Sequence, residues 1–66
     1  MMTADETLKV REIRKRAELG LEVLHEERQW ILDVLNREGV PVSKEVYDGA
    51  KQLGFNVDGL KVKDND

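Results

Sequence analysis

An all-α fold is predicted by three observations. An apolar stripe at helical spacing runs through the first half of the chain, a capping signature stands at its start, and a Gly-Val-Pro stop is followed by a shorter helical pattern. The predicted architecture is one domain over residues 1–62. A long N-terminal helix spans residues 4–38 and forms a helical hairpin with a shorter antiparallel helix over 44–53. A short C-terminal element covers 55–62, and residues 63–66 form a disordered tail.

The long helix starts at Thr3-Ala4-Asp5-Glu6, where the threonine hydroxyl can accept a first-turn amide and the glutamate can reach back to the capping backbone. It stops at Gly39-Val40-Pro41, because glycine adopts the left-handed closing conformation and proline forbids continuation. At 100° per residue Val10, Ile13, Ala17, Leu21, Leu24, Ile31 and Leu35 share one stripe. From Leu19 onward Val23, Trp30 and Val34 widen it, so the second half of the helix needs two neighbours. Trp30 is expected in the core rather than at a binding hot spot, and Arg28, which interrupts the stripe, is expected to reach a carboxylate. Gly20 is read as an interior glycine of an unbroken helix, costing about 1 kcal/mol without kinking it.

A helix over 4–38 would be about 50 Å long, whereas a compact domain of this length has a radius of gyration near 11 Å. A rod of that kind projects and finds a partner, and the simplest partner is a second copy. The self-association residues are therefore Val10, Ile13, Ala17, Leu21, Leu24, Ile31 and Leu35. A chain of 66 residues without cysteine has no disulfide or thiolate zinc site to staple a marginal core, which also favours a homodimer. The net charge of −3 argues against non-specific nucleic-acid binding. It hides a gradient, from basic Lys9, Arg11, Arg14, Lys15 and Arg16 to acidic Glu22, Glu26, Glu27 and Asp33. The split suits antiparallel pairing of two copies, but a solvated helix with ordinary i to i+4 pairs such as Glu12 with Arg16 is the favoured account of it. With neither a leader-like start nor a membrane-length apolar run, a cytoplasmic chain without membrane association is expected.

The second helix follows from Ser43 as N-cap, with Val42 stapling onto Tyr47. Val46, Ala50 and Leu53 form its small apolar face, and Gly54-Phe55 repeats the closing device of Gly39-Val40. In residues 55–62 the Asp58-Gly59 pair between alternating apolar residues signals a two-residue hairpin, while a short helix from Asn56 is the competing reading.

Chemistry has few carriers. Ser43 has a sufficient role as a cap. Glu22 and His25 have the i, i+3 spacing that carboxylate-bridged metal bundles use, yet they fall on the face that periodicity gives to solvent. No catalytic residue, metal or cofactor is expected. Val46 to Phe55 followed by Leu60 resembles the start of a helix-turn-helix of the type found in small DNA-binding regulators and winged-helix domains. Ala50 stands where that family packs a small residue, Gly54 where it makes the turn, and Leu60 where an apolar residue anchors the recognition helix. The resemblance covers residues 30–62, with 30–38 as the support helix. It implies DNA contact through Asn56 and Lys61, to which Lys9, Arg11, Arg14, Lys15 and Arg16 could add phosphate contacts. The leading expectation is instead a small non-enzymatic interaction module that self-associates and binds a protein partner; the alternative is the DNA-binding regulator.

Overall fold

The computed structural model of the protein describes residues 1–63. It contains three helices, α1 (Ala4–Glu18), α2 (His25–Glu38) and α3 (Lys44–Gln52), and no strand among the described residues. The class is all-α, as expected, but the single helix over 4–38 is replaced by two. Gly20 is the cause. At φ +76° it takes the left-handed conformation that closes a helix. Its N–H donates to the Ala17 carbonyl at 3.1 Å, and Leu21 N–H donates back to Arg16 at 2.9 Å, the double bond pattern that satisfies the last carbonyls of a helix. The same pair of bonds ends α2, from Gly39 to Asn36 and Val40 to Leu35, and ends α3, from Gly54 to Lys51 and Phe55 to Ala50.

The helix starts are also local. At α1, Thr3 Oγ1 accepts from Glu6 N–H at 3.1 Å, and Glu6 accepts from Thr3 N–H at 3.0 Å. At α3, Ser43 Oγ accepts from Val46 N–H at 3.2 Å. At α2 the capping position holds Leu24, which has no side-chain acceptor for the first turn, so only the reciprocal half of the cap forms, Glu27 accepting from Leu24 N–H at 3.0 Å.

Breaking the rod changes the shape. The molecule measures 28 × 27 × 22 Å, with a radius of gyration of 11.9 Å, so the projecting 50 Å helix does not exist. The continuous seam that argued for pairing through helix one is gone with it. Three contacts hold α1 to α2: Glu6 with Arg37, Lys9 over Trp30, and Arg16 with Glu27. They join the start of α1 to the end of α2 and the end of α1 to its start, the order of an antiparallel pair.

The principal core is built later in the chain, from Leu32, Val42, Ala50, Phe55, Val57 and Leu60, with Leu35 and Tyr47 packed against it. Ile13 of α1 and Val34 of α2 are buried as well. Val42 belongs to this core and Tyr47 packs against it.

Residues 55–62 are neither a hairpin nor a third helix. Leu60 N–H donates to Val57 carbonyl at 3.0 Å around Asp58-Gly59, and only the glycine of this turn has positive φ, +80°. The hairpin turn favoured by Asp-Gly needs positive φ at both central residues, so the arms are not aligned to pair. Each arm finds another partner. Asn56 N–H donates to Gln29 Oε1 at 2.7 Å and its carbonyl accepts from Gln29 Nε2 at 3.0 Å; Asp58 carbonyl accepts from Asn36 Nδ2 at 2.8 Å. The returning arm forms an isolated parallel bridge between Val42 and Val62, with Val42 N–H donating to Lys61 and Lys63 N–H donating to Val42. Lys63, expected in a free tail, is therefore tied to the backbone at 2.7 Å; the rest of that expected tail lies outside the described residues.

Candidate functional site

The surface with most binding character is an apolar groove of about 290 Å³ to which all three helices contribute. Its floor includes Leu32, Ala50 and Phe55 from the core, and α1 adds Ile13 and Ala17. Val46 of α3 and Leu53, which caps the end of α3, line it while remaining 50% and 71% exposed. Among the described residues, Arg14 and Arg28 are its only charged lining residues. Apolar side chains left this far in water beside a concave apolar surface are what a partner can cover.

Of the residues expected to drive self-association, Ile13, Ala17, Ile31 and Leu35 line this groove. The others are not gathered there. Leu21 and Leu24 sit in the elbow between α1 and α2, 55% and 48% exposed. Val10 lines a second depression of about 390 Å³ along α1 with Met2, Thr7, Arg11, Arg14, Lys15 and Glu18. Sequence reasoning missed the groove role of Val46, Leu53 and Arg28. Spacing put Val46 and Leu53 on one apolar face with Ala50, but only the folded chain shows that Ala50 alone of the three is buried.

The expected basic cluster is divided by the fold. Lys9 Nζ sits 4.4 Å from the Trp30 ring centroid, a cation–π contact that leaves the tryptophan half-buried rather than in the core. Arg16 does not pair with Glu12; it donates to Glu27 at 2.6 Å and to the Glu22 carbonyl at 3.2 Å. Arg16 and then Leu24 N–H hold the Glu27 carboxyl below its ordinary range, and Glu27 in turn raises Arg16. Glu6 is more strongly affected: Arg37 grips it at 2.8 and 2.9 Å, and with the Thr3 N–H this lowers its carboxyl to about 2. Arg11, Arg14, Lys15 and Arg28 are exposed and form no ion pair among the described residues. Arg28 thus lacks the carboxylate expected for it.

The residues with chemical potential have structural occupations. Ser43 caps α3. His25 lies against Phe55 with ring centroids 4.1 Å apart and planes 8° from parallel, so it packs on the core edge instead of pointing away with Glu22. Among the described residues no three His, Asp or Glu side chains gather as a metal site, and no helix is long and apolar enough to cross a membrane.

The positions that carry the helix-turn-helix resemblance are placed as follows. Ala50 and Leu60 are buried, and Gly54 has positive φ. No helix follows Gly54 among the described residues. Asn56 spends its backbone on Gln29 and accepts Asp58 N–H on its side chain, while Lys61 Nζ lies close to Gly39. A recognition helix that would carry base contacts is thus absent among the described residues. Neither protein-family models, nor curated proteins, nor solved structures give a match to this chain.

Proposed function

We propose that the protein is a small non-enzymatic interaction module that takes an apolar helix face of a partner protein into the groove between its three helices and self-associates through its exposed apolar residues. The observation that carries this reading is the exposure of Leu53 and Val46 on the wall of that groove, next to a floor continuous with the core. An exposed apolar residue alone is ordinary; Val46 and Leu53 together on the edge of a concave apolar surface match the anchor pockets by which grooves accept i, i+3, i+4, i+7 side chains. The occupied states of Ser43 and His25 favour binding over catalysis. Self-association is assigned to Leu21 and Leu24, which the elbow leaves exposed.

Affinity capture from the native cell extract, with the wild-type chain and Leu53→Glu compared side by side, tests the groove. A protein retained by the wild type and lost by a variant with unchanged circular dichroism is expected. Identical capture by both would discard the groove as the binding surface.

A further inference from the structure

We propose that the segment received by the groove is an acidic amphipathic helix, held by its apolar face in the groove and by its carboxylates on a basic shelf along one wall. The proposal rests on the interaction reading and adds the chemistry of the partner. In a chain with net charge −3, the only charges lining the groove among the described residues are the guanidinium groups of Arg14 and Arg28. Arg14 belongs to both surfaces, since it also lines the α1 depression with Arg11 and Lys15. Glu18 is the one acid there. None of these four basic side chains has an ion-pair partner among the described residues, whereas Arg16 and Arg37 are both committed to glutamates. Lys44, Lys51, Lys61 and Lys63 are likewise without an ion pair among the described residues; what sets this shelf apart is that four such cations line adjoining surfaces beside an apolar trough.

A basic edge beside an apolar trough selects a helix whose apolar stripe is flanked by Glu or Asp, because opposite charges at a rim steer encounter and like charges reject the wrong partner. The trough is concave between three helices, which suits a cylinder better than a flat bilayer. The acidic remainder of the surface disfavours an anionic membrane as well.

The test uses fluorescence anisotropy with the full chain and a labelled synthetic amphipathic helix of about four turns, carrying a leucine face with glutamate flanks. A second peptide has lysine flanks and the same face. The expected result is at least about tenfold tighter binding of the glutamate peptide at low salt, narrowing as salt screens the rim. The preference should reverse in Arg14→Glu/Arg28→Glu, and Leu53→Glu should abolish binding of both peptides. The wild-type comparison stands alone if the double variant does not fold. Equal binding of the two peptides, with loss in Leu53→Glu, overturns the acidic-partner inference and leaves the groove reading intact. No binding of either peptide overturns both. Uptake by phosphatidylserine vesicles without peptide binding overturns the inference in favour of a lipid surface. A concentration-dependent dimer abolished by Leu53→Glu, again without peptide binding, overturns it in favour of a second copy.

Discussion

At the residue scale, the glycines separate conformational need from spatial need. Gly20 has positive φ and open space around it, so an added methyl group meets nothing; Gly20→Ala should lose about 1–2 kcal/mol from the left-handed backbone alone. Gly59 has the same backbone requirement, and a Cβ there would approach the Asn36 side-chain amide to 3.4 Å. At that distance the contact is ordinary van der Waals packing, so Gly59→Ala should lose about the same 1–2 kcal/mol as Gly20→Ala and leave the Asn36 bond to Asp58 in place. Gly49 lies inside α3 with no positive φ and nothing within 4 Å, so Gly49→Ala should gain about 0.5–1 kcal/mol. Urea unfolding of the three variants checks the order. Glu6 supplies a pH dependence of known sign. Its folded pKa is lowered to about 2 from an ordinary 4.5 by Arg37 and Thr3. Its contribution is thus fully present above the ordinary value and is lost as pH falls from there toward about 2. Thermal melts across that range should show a shallower fall for Glu6→Gln than for the wild type. The exposure of the pair keeps the effect small.

At the element scale, α2 is the scaffold. Glu27, Trp30 and Arg37 hold α1, while Gln29 and Asn36 hold the backbone of residues 56–58. Gln29→Ala removes both partners of Asn56 and should cost about 1–2 kcal/mol. Faster amide exchange at Asn56 and Lys63 than elsewhere would locate that loss in the C-terminal segment. Most helix boundaries were legible because their causes are local: Thr3 with Glu6, Ser43, Gly39-Val40 and Gly54-Phe55 all act as read. The break at Gly20 was not, because the apolar period of Ile13, Ala17, Leu21 and Leu24 passes through it and mimics continuity. The signal lay in Gly20-Leu21, the same glycine–apolar pair that closes the other two helices. Residues 55–62 were half legible. The Asp58-Gly59 turn is present, but its arms pair with side chains of α2 and with Val42, and nothing local announces a partner 27 residues away.

At the scale of the whole molecule, the two proposed surfaces predict different failures. Leu24→Glu should leave stability nearly unchanged, since the residue is 48% exposed, while removing any concentration-dependent mass increase in sedimentation equilibrium. Small-angle scattering from dilute protein should give a radius of gyration near the 11.9 Å of the folded chain, far from the value of paired 50 Å rods. The groove was partly legible in the stripe that contributes Ile13, Ala17, Ile31 and Leu35. Its other wall was not, because the position of α3 depends on how Val42, Ala50 and Phe55 pack together. The location of that packing also dictates an order of assembly. The cover for Leu32 comes almost wholly from residues after Pro41, so a chain emerging from synthesis can close α1 onto α2 through Glu6, Lys9 and Arg16 before any cover exists. Until Phe55 and Leu60 arrive, Leu32 and Leu35 face water. A chain ending before Phe55 should be helical yet melt without cooperativity, and cooperative folding should appear only once the last residues of the core are joined to it.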